Sequence, residues 1–246
     1  MLSKAQSKYI RSLTQQKFRN EYKVFVAEGE KLAQEWLAAD GDIQMVVATA
    51  GWLKTNRQLV ARHGEATVHE VTDAELSAIS GLQTSNSVLL VVPQYEAIAP
   101  PQVNEWCLAL DEIQDPGNMG TIIRIADWFG IRHIVCGQGC VDWYNPKVVQ
   151  SAMGGHLRVN MYAADLPEFL QQAKLPRLAA MLHGEPVYAV GRMAAGILII
   201  GNESKGISHE VAALVDRKVT IPRKGGAESL NAGVSAGILC SLLLPV

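Results

Sequence analysis

The sequence predicts an α/β protein in two parts: a smaller N-terminal α/β domain over 1–95, a linker over 96–104, and a larger parallel-sheet α/β domain over 105–246. Three observations predict this. Strand-like and helix-like runs alternate along the chain, and strands such as 88–92 and 196–200 are almost wholly apolar, as strands covered on both faces must be. The pair Pro100-Pro101 interrupts a stretch, 95–102, with neither helical nor strand periodicity. In the second part, three apolar strand-like runs lead into Gly or Pro turns flanked by polar side chains, at 115–124, 201–206 and 221–231.

The elements follow in order. Residues 1–23 read as helical and basic: Lys4, Lys8, Arg11, Lys17, Arg19 and Lys23 face one acid, Glu21, with Tyr9, Phe18 and Tyr22 interleaved. A short strand spans 24–27, and a helix spans 29–37 with apolar Leu32, Ala33, Trp36 and Leu37 on one face. Gly41-Asp42 breaks it before a strand at 43–48, a helix at 52–62 and a strand at 67–71. Thr72 or Asp73 caps a further helix, and the strand at 88–92 is closed by Pro93. In the second part, strands are expected at 106–110, 131–136, 157–161, 177–182, 196–200 and 218–221. Helices are expected at 120–129 (stopped by Gly130), 147–153, 166–173, 210–215 and 229–244.

Composition narrows the function classes. The chain has 246 residues, 48% hydrophobic and 19% charged, with a net charge of −2, so no whole-chain basic signature marks it for nucleic acid. The basic, aromatic-laced start is the exception. It reads either as an RNA contact, with cations on phosphates and rings on unpaired bases, or as an amphipathic helix with a solvated basic face. Cys107, Cys136, Cys140 and Cys240 show no CxxC spacing, and reduced thiols in a cytoplasmic protein are expected. No signal-like segment opens the chain and no apolar run reaches 18 residues, so no membrane association is expected. The histidines have no ligand-like spacing, and no metal is expected.

The chemistry concentrates in the three turns. No Walker loop and no GxGxxG is present, which argues against ordinary nucleotide and dinucleotide sites. Gly201, at a strand end, lets backbone approach a ligand, and Glu203 follows at the carboxyl edge where open α/β sheets hold ligands. A plain turn with a solvated Glu-Lys pair is the alternative. Ser229 is a natural cap for the last helix, which would put Asn231 in its first turn. Asn118 is placed just before a helix, with Arg124 about one turn inside it. A surface ion pair for Arg124 is the alternative reading.

Taken together, the three stretches resemble the SpoU (TrmH-like) branch of the SPOUT RNA methyltransferases. Asn118, Gly120 and Arg124 match its NxGxxxR motif. Gly201, Glu203 and Gly206 match GxExxG, and Pro222 with Ser229-Leu230-Asn231 matches the third motif, over 105–246. The N-terminal part is similar to the substrate-binding module found before this domain, through Lys17-Phe18-Arg19 and Phe25-Val-Ala-Glu28-Gly29. The resemblance implies a C-terminal trefoil-knot domain, an obligate homodimer, and an S-adenosylmethionine-dependent methyltransferase acting on a ribose 2′-hydroxyl of rRNA, or of tRNA. It implies cofactor contacts from Gly201, Ile221 and Leu230, joined by the turn around Leu182 and Gly184. Arg124 would grip a phosphate and stabilise the forming alkoxide, since a guanidinium is a poor base. Asn118, Glu203, Ser229 and Asn231 would position the reacting groups, with the base unassigned. A base-methylating SPOUT enzyme and an RNA-binding homologue without catalysis are the alternatives. Two departures stand out: Ala232-Gly233 where the family carries Val, and Thr84-Ser85-Asn86-Ser87 where it carries a Thr-Pro turn.

Overall fold

The structure is a computed structural model that describes residues 2–39, 41–82, 86–95, 100 and 104–245. Most of the expected linker (96–99 and 101–103), and Thr84 and Ser85 of the atypical turn, lie outside the described residues. The chain forms two compact units. One comprises residues 1–96 together with Tyr144–Leu157, and the other residues 97–143 and 158–246.

The first unit begins with α1 (Lys4–Ser12), opened by a capping box in which Ser3 accepts from the Gln6 amide while the Gln6 side chain accepts from Ser3. Next come α2 (Gln16–Tyr22), β1 (Val24–Glu28), α3 (Glu30–Ala38), β2 (Met45–Thr49), α4 (Ala50–Thr55), α5 (Arg57–Ala61), β3 (Thr67–Val71), α6 (Asp73–Ser77) and β4 (Val88–Pro93). The helix expected over 52–62 is broken into two at Asn56, whose side chain folds back onto the Trp52 carbonyl (3.0 Å). The four strands form one sheet in the order β1-β4-β2-β3. β4 runs antiparallel to both β1 and β2, and β2 runs parallel to β3. β4 is one of the two inner strands, and Val88 to Val92 are buried throughout, which explains the uninterrupted apolar run.

Arg19 departs from expectation. It is buried, 1% exposed, and its guanidinium donates to the Leu13 and Thr14 carbonyls at 2.8 and 2.9 Å, closing the turn between α1 and α2. A buried guanidinium is tolerated where carbonyls receive its protons, so Arg19 is a structural fastener and not part of an exposed basic face. Lys4, Lys8, Arg11, Lys17 and Lys23 remain exposed. The aromatic residues of this segment pack on one another, Tyr9 edge-on to Tyr22 at 5.1 Å and Phe18 stacked on Tyr22 at 6.2 Å.

Residues Tyr144–Leu157 join this first unit, although division at residue 95 assigns them to the second. Their helix α8 (Pro146–Ala152) packs on β1, the Tyr144 ring stacks on Phe25 at 4.6 Å, and the Tyr144 hydroxyl accepts from the Tyr95 amide. Phe25 is fully buried, and covering a ring of that size contributes on the order of 2 kcal/mol. A side-chain stack of this kind leaves no mark in local sequence periodicity, so the boundary could not be read there.

The second unit contains β5 (Cys107–Asp111), α7 (Pro116–Trp128), β6 (His133–Cys136), β7 (Asn160–Ala163), α9 (Leu166–Gln172), β8 (Arg177–Pro186), α10 (Val187–Val190), β9 (Ile197–Gly201), α11 (His209–Ala212), β10 (Arg217–Thr220) and α12 (Ala232–Leu243). All six strands pair in parallel in the order β10-β8-β9-β5-β6-β7. Parallel pairing puts every carboxyl end at one edge, so the segments following β10, β8, β9 and β5 share that edge. The strand expected to end at Leu182 runs on to Pro186, but its ladder with β10 jumps from Ala179 to Glu185. Residues 180–184 are thereby left as an excursion outside the pairing.

Candidate active site

Each of the three turns is built by local chemistry. Asp115 caps α7 by accepting from the Asn118 amide at 2.8 Å, with Pro116 at the first helical position. The helix therefore starts four residues earlier than Gly120. Asn118 lies in its first turn instead of before it, and Arg124 lies two turns in. At the other end of the chain, Asn231 is itself the cap of α12, accepting from the Val234 amide at 3.2 Å. Ser229, expected as the cap, lies upstream and exposed.

The turn after β9 requires its glycines. A Cβ on Gly201 would lie 2.5 Å from the Gly206 carbonyl carbon, and Gly206 holds a φ of +73°. Asn202 and Gly206 bond reciprocally, each amide donating to the other's carbonyl at 2.9 Å. Two further bonds fasten the turn to the end of β5. Buried Asn202 donates to the Glu112 carbonyl at 2.8 Å, and the Ser208 amide donates to buried Asp111 at 2.7 Å. Glu112 adopts a left-handed φ of +54°, strained for a residue with a side chain, and its carboxylate pairs with Lys205 at 3.0 Å. The Asp111 and Asn202 anchors, which hold the turn in place, are positions that sequence reasoning missed. The only signal for them was their adjacency to the motif residues.

The three turns meet at three side chains. Asn231 Nδ2 donates to Asn118 Oδ1 at 2.6 Å, and Asn118 Nδ2 donates to Glu203 Oε1 at 2.6 Å. Residues up to 113 positions apart are thus tied into one chain of hydrogen bonds, with Asn118 only 7% exposed. Its direction is fixed: the Asn231 oxygen accepts from the helix amide, so its nitrogen must donate, and Asn118 must pass that polarity on to the carboxylate.

The structure does not join the remaining candidates to this chain. Arg124 is exposed on α7 with no partner among the described residues, and Ser229 is likewise exposed. The expected cofactor residues lie on segments following adjacent parallel strands. Leu182 and Gly184 occupy the excursion in β8, Gly201 ends β9, and Ile221 and Leu230 belong to the loop after β10. Leu182 and Leu230 are 66% and 49% exposed, and the Leu182 carbonyl is held by the Thr220 hydroxyl at 3.1 Å. A Cβ on Gly184 would lie 2.5 Å from the Lys218 carbonyl, so the two segments approach as closely as backbone allows. Exposed apolar side chains beside strand-end backbone suit a ligand with an apolar body and polar ends.

The thiols of this unit divide by environment. Burial pushes Cys107 and Cys240 up to about 12. Cys136 and Cys140 share a hydrogen bond that raises the buried Cys136 and lowers the more accessible Cys140. Among the described residues no cluster of His, Cys, Asp or Glu could hold a metal ion, and no helix is long and apolar enough to cross a membrane.

Comparison with known proteins agrees with this geometry. The SpoU rRNA Methylase family matches residues 105–241, and the MRM3-like substrate binding domain matches residues 4–90. The chain is 28% identical to the 23S rRNA (guanosine(2553)-2′-O)-methyltransferase RlmP of Bacillus subtilis, over 93% of this chain and 92% of that one. A TrmH-family structure from Porphyromonas gingivalis superposes with a TM-score of 0.87 at 37% identity, over 98% of this chain and 97% of that one. The AdoMet-bound rRNA methyltransferase of Sinorhizobium meliloti superposes with a TM-score of 0.85 at 29% identity, covering 98% and 94%. The fold class expected from sequence, a parallel-sheet SPOUT methyltransferase domain behind a smaller substrate-binding α/β domain, is the one observed. With all three motifs placed on one sheet edge, the chain belongs to the SpoU rRNA methylase family.

Proposed function

We propose that this protein is an S-adenosylmethionine-dependent RNA methyltransferase that modifies a ribose 2′-hydroxyl, with rRNA as the first-choice substrate. The observation that carries the reading is the Asn231–Asn118–Glu203 chain, which gathers the three motifs at the carboxyl edge of one parallel sheet. Similarity over nearly the whole chain to an enzyme named for 2′-O-methylation favours ribose over base.

The residues present fit the cofactor, which supplies an electrophilic methyl on a sulfonium. Backbone at Gly201, Ile221 and Leu230, with the excursion bearing Leu182 and Gly184, would hold it. Arg124 reaches solvent unpaired, free to grip an RNA phosphate and to stabilise negative charge on the ribose oxygen. Asn118 and Asn231 hold Glu203 in place, and Ser229 lines the same loop. Lys4, Lys8, Arg11, Lys17 and Lys23 form an exposed basic set on the first unit suited to phosphates; Arg19 is not among them.

A homodimer completes the proposal, supported by Trp128 at 85% and Val234 at 49% exposure on α7 and α12, apolar surface that a second copy would cover. The cytoplasm, where RNA substrate and cofactor coexist, is the proposed location. The decisive experiment is transfer of labelled methyl from S-adenosylmethionine to RNA from cells lacking the protein, followed by nucleoside analysis. Label in 2′-O-methylated nucleosides is expected; label in a methylated base contradicts the reading.

A further inference from the structure

We infer that Glu203 Oε2 is the group that receives the ribose hydroxyl proton. The inference rests on the proposed ribose methylation and assigns the one role left open there.

Of the five motif side chains, two are amides, one is a hydroxyl and one is a guanidinium, none of which accepts a proton near neutral pH. Glu203 is the carboxylate. The other acids near it are engaged: Asp115 caps α7, Asp111 accepts from Ser208, and Glu112 pairs with Lys205. Glu203 is different. Its Oε1 accepts from Asn118, while Oε2 has no partner among the described residues, and the side chain is only half-buried. The relay from the α12 amide through Asn231 and Asn118 ends at Oε1, which fixes the carboxyl plane and leaves Oε2 as its open acceptor.

The step balances. The hydroxyl's O–H bond breaks with its proton going to Glu203 Oε2. An oxygen electron pair forms the C–O bond to the methyl, and the C–S pair stays on sulfur, which becomes a neutral thioether. Proton removal is easy for a carboxylate because the oxygen grows more acidic as the C–O bond forms. The rival by chemistry is His183, exposed on the excursion in β8.

Glu203→Gln separates these roles, because its amide oxygen can still accept from Asn118 while the base is gone. The wild type is first shown to put labelled methyl on ribose in RNA from cells lacking the protein; failure there removes the functional reading itself, and this inference with it. Given that activity, the variant is expected to lose about 100-fold or more in kcat. Its affinity for S-adenosylmethionine by calorimetry and for RNA by filter binding should stay within about threefold, and the acid limb of the wild-type pH–rate profile should disappear. Turnover within about threefold of wild type overturns the assignment. So does loss of cofactor affinity in step with kcat, which would make Glu203 a binding group, and so does an acid limb that persists in the variant but is lost in His183→Ala, which would pass the role to His183.

Discussion

Two carboxylates at opposite edges of the second unit's sheet, Glu105 and Glu203, are held in different ways. Glu105 stands at the amino edge, just before β5. Its Oε2 accepts from Arg132 at 2.8 Å and its Oε1 lies 3.1 Å from His133 Nε2, whose Nδ1 is 3.1 Å from the Tyr162 hydroxyl. The Arg132 guanidinium holds the Glu105 carboxyl below the usual range. Glu203 stands at the carboxyl edge and is held by one neutral amide, that of Asn118, on one oxygen only. The first acid is bonded on both oxygens and locks strand ends together; the second is aimed by one amide and keeps acceptor capacity on its other oxygen. Partner saturation, more than burial, separates the two.

The largest effect that sharpens this contrast is expected at Arg124. It has no partner among the described residues, so Arg124→Ala should leave the melting temperature and cofactor affinity unchanged while lowering kcat by about 1,000-fold. Turnover close to wild type would remove it from the mechanism. Asn118→Asp comes next, because it replaces the amide that aims Glu203 with a second carboxylate 2.6 Å away. A loss of about 10- to 100-fold in kcat is expected, with the acid limb of the pH–rate profile moving to higher pH as repulsion favours the protonated form.

Stability supplies the intermediate test. The folded thiols of Cys107 and Cys240 sit at about 12, above their unfolded value, so their contribution is full below the unfolded pKa of about 8.5 and is lost as pH rises toward 12. Denaturant unfolding at several pH values should show stability falling across that window by about 1.4 kcal/mol per pH unit per thiol. In the folded protein at pH 8, iodoacetamide should label Cys140 first, read by mass spectrometry, and leave Cys107 and Cys240 protected.

The smallest effect is expected at the amino edge. Glu105→Gln should leave turnover within about twofold and cost about 1 kcal/mol or less, since the pair is solvent-screened. Because the Glu105 pKa is depressed, even that contribution is present above the unfolded value near 4.3 and lost on further acidification. A large loss of turnover here would erase the distinction between the two edges.

Much of this arrangement was legible in the sequence. The apolar strands expected at 88–92, 106–110 and 196–200 announced buried positions by lacking polar alternation, and Gly201 at a strand end announced a close approach of backbone. The helix starts were legible in principle: Asp115-Pro116 is a stronger cap signal than the Gly120 used to place α7, and reading it would have put Asn118 inside the helix. What could not be read was long-range. Nothing local says that Tyr144 stacks on Phe25, that Arg19 turns inward to two carbonyls, or that Asn202 reaches the Glu112 carbonyl 90 residues away. Such contacts are made by tertiary packing and leave no period in the chain. The motif residues themselves were visible as types, but the polarity of the Asn231–Asn118–Glu203 chain needed geometry.

Ribose methylation by one site built from these three motifs leaves a mark that can be read in RNA. The most direct measurement is nucleotide-resolution mapping of 2′-O-methyl groups in total RNA from cells with the protein, without it, and with Arg124→Ala in its place. A 2′-O-methylated position, in rRNA as first choice, is expected to be present with the wild type and missing from both other samples. A 2′-O-methyl map identical in all three, or a lost mark that lies on a base, would contradict it.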